Sequence, residues 1–403
     1  MAPRKELDAP PLEGDMAVER IFQGNFSDPE EEEEDDDDDD KMRCLLPLIY
    51  DNEEEACAAM VVRAAERRRR GAEEKAREVE EEKRRAEESK RLKEEAVWRR
   101  KKDEEVFSSI RQYNPKTKCV EYTRFPFADF STFNLDEPSP VLAMRYTDKQ
   151  IRDCAHLYSI NVLAVKIVSS DKGFPLNVYG NIILRDNLDK KCVYLFSRPG
   201  RMDSELINSE DQSLILTGPS RGLVLMDYIY IEVDLKMKLD QGKDEQLSIG
   251  LLDIDGRVAP RVPTTEVQSC TLESSLSTVE VRYALVKEAT EATVEFQVLD
   301  GDFKGEITAH TTRIEDSIHD RIVLHDSRAC GAVTSSDGSR VFQLFRRVVA
   351  VCMDEALVLT IVPEAVTAYV LRFTPYLFGA QENIINCGAV KLGVKVTWSV
   401  ISF

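Results

Sequence analysis

The chain has 403 residues, 42% of them hydrophobic, and a formal net charge of −20. That length accommodates two or three domains of ordinary size. So negative a balance argues against general nucleic-acid binding, which draws its affinity from Lys and Arg neutralising phosphates, and no run reaches the roughly 18–20 apolar residues that a membrane-spanning helix needs.

The first segment, residues 1–51, holds an unbroken acidic block from Glu30 to Asp40. A stretch so charged and so poor in apolar groups cannot bury enough surface to fold alone, and a disordered acidic tail is expected. Its start leads into Pro and acid rather than an apolar signal core, so a cytoplasmic location is expected.

Residues 52–112 contain no Pro, a single Gly (Gly71), and abundant Ala, Glu, Lys and Arg. These are strong helix formers, because their side chains lose little rotamer freedom on the helix. Glu66–Arg70, Glu73–Arg77, Glu80–Arg84, Glu81–Arg85, Glu87–Arg91 and Glu95–Arg99 fall at the favourable i,i+4 order, each adding about 0.2–0.5 kcal/mol. One heptad frame places Ala65, Ala72, Val79 and Ala86 in register, but the second seam carries Arg69, Lys83 and Lys90. A strong coiled coil needs large apolar groups at both positions, so a single charged helix or a weak coil is expected. The basic clusters Arg67–Arg70, Lys83–Arg85 and Arg99–Lys102 are interleaved with Glu. They read as one half of a zwitterionic helix, with nuclear entry left open.

After Asn114-Pro115 the composition changes. Five aromatics, Tyr122, Phe125, Phe127, Phe130 and Phe133, occupy one short irregular segment, which predicts a strap packed along a larger body. Strand signals follow at about Ser159–Val168, Leu176–Leu184, Cys192–Phe196, Leu214–Leu216, Leu223–Lys236, Thr278–Val286, Ala292–Leu299, Gly305–Thr312, Arg321–His325, Phe342–Cys352, Ala356–Val362, Tyr369–Phe373 and Gly388–Ser399. Asp300-Gly301 and Ser336-Asp337-Gly338 supply hairpin turns. Dense short strands without helical runs between them predict a mainly β fold, an antiparallel β-sandwich occupying residues 113–403.

An internal echo divides that body. Gly180-Asn-Ile-Ile-Leu-Arg185 resembles Gly305-Glu-Ile-Thr-Ala-His310, and Arg221-Gly-Leu-Val-Leu-Met-Asp227 resembles Arg347-Val-Val-Ala-Val-Cys-Met-Asp354. Two related halves are expected, 145–255 and 275–403, joined near residues 255–275.

The string Ile207-Asn-Ser-Glu-Asp-Gln-Ser-Leu-Ile-Leu-Thr-Gly-Pro-Ser-Arg-Gly-Leu-Val-Leu225, with Thr123-Arg-Phe, Met144-Arg-Tyr-Thr-Asp148, Gly173-Phe-Pro-Leu-Asn-Val-Tyr-Gly180, Leu276-Ser-Thr-Val-Glu280 and Val394-Lys-Val-Thr-Trp398, resembles a family of grasses, domain of unknown function 6598. The resemblance runs from about Asn114 to the C-terminus. It implies a plant intracellular β-rich domain, some relatives of which are fused to a ribosome-inactivating N-glycosidase.

Candidate chemistry is sparse. The Glu-Ala-x-Arg helix of such a glycosidase has no counterpart in the body, and similar strings occur only in the charged helix. His310, His319 and His325 lie near Asp316, Asp320 and Asp326 but without zinc spacing. Asp253-Ile254-Asp255-Gly256 lacks the further acids of a calcium loop. The nine cysteines form no Cys-x-x-Cys pair and read as reduced thiols. Thr217-Gly218-Pro219-Ser220-Arg221-Gly222 lacks a phosphate-loop ending and reads as an exposed hairpin turn, with Thr217, Gly218, Arg221 and Gly222 as the candidate interaction residues. No catalytic, cofactor-binding or metal-ligating set is legible. The sequence therefore favours a non-enzymatic interaction or scaffold protein with a protein partner and weak self-association through 52–112. A carbohydrate- or small-ligand-binding sandwich in defence is the alternative, and a role beside an rRNA N-glycosidase comes third.

Overall fold

The computed structural model describes residues 52–127, 129–148, 157–239, 242–261, 266–314, 320–331, 333–334, 341–364 and 367–402. The acidic tail, the Ser336-Asp337-Gly338 turn, Asp316 and His319 lie outside them. The chain divides into two compact units, Met1–Ser89 and Lys90–Phe403.

Helix α1 (Glu53–Ser109) buries none of its residues. It starts where the Asn52 side chain accepts the Glu55 N–H at 2.8 Å, with Glu53, Glu54 and Glu55 in the first turn. That carboxylate-rich start suits the positive end of the helix dipole. Of the pairs read from spacing, Glu81–Arg85 and Glu95–Arg99 both close at 2.6 Å. The last turns belong to the second unit. There Phe107 and Ile110 pack with Phe125 and Phe130 of the strap, and Phe130 N–H donates to Asp103 at 2.8 Å. A short hairpin, β1 (Arg111–Asn114) and β2 (Cys119–Tyr122), follows.

The first sandwich contains β3 (Ser159–Ser170), β4 (Leu176–Arg185), β5 (Val193–Arg198), β6 (Glu205–Ile207), β7 (Tyr228–Lys238), β8 (Asp244–Asp255), β9 (Val267–Glu273) and β10 (Ser277–Val286). Its sheets run β3-β10-β9 and β5-β4-β7-β8, with β6 beside β4. The second contains β11 (Ala289–Asp300), β12 (Asp302–Phe303), β13 (Gly305–Thr311), β14 (Ile322–Asp326), β15 (Val333–Thr334), β16 (Val348–Cys352), β17 (Leu357–Pro363), β18 (Tyr369–Phe373), β19 (Phe378–Cys387) and β20 (Val390–Val400). Its sheets run β16-β11-β20-β19 and β14-β13-β17-β18, with β12 paired to β15. Every strand pair is antiparallel. Each sandwich encloses its own apolar core, one around Ile182, Phe196, Ile231 and Val281, the other around Phe296, Ile307, Leu359 and Trp398.

The two sandwiches repeat one strand order. β3, β4, β5, β7, β8, β9 and β10 occupy the places of β11, β13, β14, β17, β18, β19 and β20. Even the irregular part matches: Leu225 bridges Tyr158 where Cys352 of β16 pairs with Ala289. Gly180 and Gly305 show the physical reason for one shared residue. Both have positive φ (129° and 156°), and a Cβ there would stand 2.1 Å from Asp234 O and 2.2 Å from Val362 O. Only glycine permits that backbone approach.

The join lies elsewhere than expected. It is Lys287-Glu288, between β10 and β11, not residues 255–275, because β9 and β10 complete the first sandwich. Leu214–Leu216 forms no strand but hangs on β3 through Leu214 N–H to Val165 O. Strands β8, β9 and β19, and the short β1, β2, β6, β12 and β15, lie outside the strand signals of the sequence; β9 and β19 are edge strands with mixed or exposed faces, which carry little hydrophobic signal.

Candidate functional site

The turn singled out from sequence is mostly sealed. Thr217 is exposed, but Gly218, Arg221 and Gly222 are buried. Gly218 passes so close to β5 that a Cβ would meet Tyr194 O at 1.9 Å. The Arg221 guanidinium, 1% exposed, forms a fork with Asp186 at 2.6 and 2.9 Å and reaches Asp189 at 3.4 Å. Gly222 N–H donates to Glu291 at 2.6 Å, and Met144 N–H donates to the other oxygen of that carboxylate at 2.7 Å. Burial nevertheless pushes the Glu291 carboxyl up, against both backbone donors. Arginine in this loop is therefore a clamp facing inward, a correction to the exposed-turn reading: its fork geometry suits a buried carboxylate better than open solvent.

A second closed network lies under the strap. Glu232, on β7, accepts from Arg185 at 2.6 and 3.1 Å, from Arg124 at 3.1 Å and from Phe125 N–H at 2.9 Å. With every carboxylate oxygen occupied, this cluster fixes the strap and offers no open chemistry.

The open site lies between the sandwiches. A cleft of about 720 Å³ is walled by Leu163 and Ala164 of β3, by the Asn208–Leu216 region, and by β14 with the segment before β16. The local chain explains the placement. Phe345 N–H donates to Leu324 O at 2.8 Å, holding the segment beside β14. Arg346 then turns inward, and its two terminal nitrogens donate to Val162 O at 2.6 Å and Leu163 O at 3.1 Å. Its side chain is 5% exposed, and its Nε is buried without a hydrogen-bond partner. Burial pulls this guanidinium down to about 9, which leaves it charged at neutral pH. Arg321, at the head of β14, also lines the cleft with its Nε buried and unpartnered. Arg328, by contrast, pairs with Asp326 at 2.8 Å and Glu306 at 3.9 Å.

His325 stands behind the cleft wall. Its Nε2 lies 3.1 Å from Ser327 Oγ and its Nδ1 3.3 Å from Cys330 Sγ, where α2 (Ser327–Cys330) follows β14. Burial lowers the imidazole and raises the thiol. Both shifts favour the neutral pair over a thiolate–imidazolium ion pair, which is the form a nucleophilic cysteine requires. His310 is buried on β13, facing a different neighbourhood from His325 by strand alternation. Asp320 pairs with Arg282 at 2.7 Å, and Asp255 with Arg257 at 2.8 Å. Among the described residues, no group of three His, Cys, Asp or Glu side chains is placed to share a metal ion, and no helix is long and apolar enough to cross a membrane.

Sequence reasoning missed Arg321 and Arg346. Each falls inside a run that reads as a strand, Arg321–His325 and Phe342–Cys352, whereas β14 begins at Ile322 and β16 at Val348, and only the fold brings them to one cleft.

No curated protein matches the chain. Among solved structures it is similar to human GIVD cytosolic phospholipase A2, with a TM-score of 0.19 and 10% identity over 59% of this chain and 32% of that chain. The same enzyme in complex with methyl gamma-linolenyl fluorophosphonate gives a TM-score of 0.19 and 10% identity over 60% and 32%. The match thus spans about a third of that protein's length, and so low a score carries no inference about fold or activity. The family described as domain of unknown function DUF6598 matches residues 159–396, from the start of β3 into β20 and more than half of the chain, and the chain belongs to that family.

Proposed function

We propose that this chain is a non-catalytic binding module whose body holds a small ligand in the cleft between the two sandwiches. The carrying observation is the cleft itself: about 720 Å³, within the roughly 300–1,000 Å³ usual for ligand sites, with a lining divided between apolar side chains and polar or charged ones such as Asn208, Gln212, Arg321 and Arg346. A thermal-shift screen of small molecules on the full chain tests this reading, with Ala329→Trp as the control. Ala329 is exposed and lines the cleft, so the indole should fill space without disturbing a core. Compounds that stabilise the wild type and not the variant support the reading; a screen yielding none sinks it.

A scaffold role for the charged helix is a second reading, favoured by the exposure of α1 over most of its 57 residues, ahead of Val106 and Phe107 in its last turn. A helix that is polar all round and has no core of its own is suited to spacing or partner contact. Sedimentation of the chain with and without residues 1–89 tests self-association, and identical monomers would remove that role.

A further inference from the structure

We infer that the cleft takes an organic carboxylate, one anionic group on an apolar body, received by Arg346 and Arg321. This rests on the reading just proposed and narrows it.

Arg346 is a buried cation facing carbonyl dipoles alone. The oxygens of Val162 and Leu163 satisfy two of its donors, but they do not neutralise its charge, and no carboxylate among the described residues pairs with it. A buried charge is costly unless an opposite charge meets it. Of its donors, Nε stays empty. The Nε of Arg321, in the same cleft, is empty as well. The two acids that line the cleft do not answer this need, because Glu306 and Asp326 are both engaged by Arg328. Two guanidinium groups that line one cleft and have no carboxylate partner among the described residues make a receptor for an oxyanion, and the planar fork of arginine matches a carboxylate.

One part of the remaining wall bears on what carries the anion. Val323, Phe345 and Ala329, with the edges of the nearly buried Leu163, Leu214 and Leu216, form an apolar stretch beside the polar Asn208, Gln212 and Ser213. An inorganic anion would leave that surface wet, whereas an aliphatic or aryl chain would cover it and gain the transfer free energy of its own apolar area. A cationic ligand would be repelled by the unpaired arginines.

Arg346 also fastens the segment before β16 to β3, and a purely structural staple is the competing account. Titration calorimetry on the full chain separates the two. The probes are decanoate and 4-phenylbutyrate, their alcohols decanol and 4-phenylbutanol, and inorganic phosphate. Against these stand the wild type, Arg321→Gln, Arg346→Lys and Ala329→Trp, with melting curves recorded for each. The carboxylates should bind about tenfold or more tightly than their alcohols, and phosphate more weakly than either carboxylate, since a hydrogen bond to a charged group is being compared with its neutral counterpart. Arg321→Gln should remove that preference while leaving the alcohols unchanged, an effect a staple would not produce. Arg346→Lys should weaken the carboxylates by a similar factor; if that variant fails to fold, Arg321→Gln still decides the matter. Alcohols binding as tightly as carboxylates, with both lost in Ala329→Trp, would overturn the carboxylate assignment and leave the cleft reading standing. Tight phosphate binding that matched the carboxylates would overturn the apolar body. No binding by any probe, or carboxylate binding indifferent to Ala329→Trp, would overturn the assignment at this cleft.

Discussion

Arg221 in the first sandwich and Arg346 in the second are both nearly inaccessible and both precede the segment that borders the same sheet position, yet their surroundings differ. Arg221 meets Asp186 through a two-pronged contact and is further held by Asp189 and the Gly222 carbonyl. Among the described residues, Arg346 meets only the carbonyls of Val162 and Leu163, beside an open cleft. Where the charge is matched from within, the arginine locks the fold. Where it is not, the fold keeps a cation in readiness beside a space that something else can fill.

The sharpest way to break that comparison is to remove one side of the matched pair. Asp186→Asn should cost about 3–5 kcal/mol in urea unfolding, because it strands a buried guanidinium; a loss under about 1 kcal/mol would mean the pair does not lock the fold. The repeated glycines should come next. Gly180→Ala and Gly305→Ala each force a Cβ against a backbone carbonyl, and each should cost about 1–3 kcal/mol. Similar losses would sharpen the equivalence of the two sandwiches, and a clear loss at one alone would break it.

His325 supplies a pH test confined to the second sandwich. Burial lowers its pKa below the ordinary value near 6.5, despite the nearby Asp326. The unfolded chain therefore binds the proton more readily, and stability should fall as pH drops from about 6.5 towards the depressed folded value. His325→Phe should flatten this part of the urea-midpoint profile, and an unchanged slope would assign the acid sensitivity elsewhere. Arg346→Gln, without ligand, should stay within about 1 kcal/mol of the wild type, since the lost carbonyl bonds are offset by relief of an unpaired buried charge. A loss as large as that of Asp186→Asn would erase the contrast between the two arginines. The smallest effect belongs to the exposed helix: Glu81→Gln should lower stability by at most about 0.5 kcal/mol.

Much of this architecture is legible in the chain. Tyr369–Phe373 is a strand with the bounds its pattern implies, and the Gly180 and Gly305 strings mark the repeat because a backbone crossing demands the same residue twice. The join at Lys287-Glu288 differs from the expected 255–275 because Val267–Glu273, half polar along an edge, gives no periodic signal. The site was less visible for a related reason. Two glycines and an arginine make a conspicuous string at Gly218–Gly222, but conspicuous spacing there serves close packing. Arg321 and Arg346 are separated along the chain and each is hidden in a run that reads as a strand, so their sharing one cleft depends on how β14 and the segment before β16 are stitched together.

The passage from one sandwich to the next is made by Lys287 and Glu288 alone, and Asn161 adds a second fastening by donating to Ala350 O at 2.7 Å and accepting from Ala350 N–H at 2.9 Å. A connection that short has no slack to pay out. The walls of the cleft, one from each sandwich, are thereby tied together at two places, so its width is tied to the contact between the two repeats.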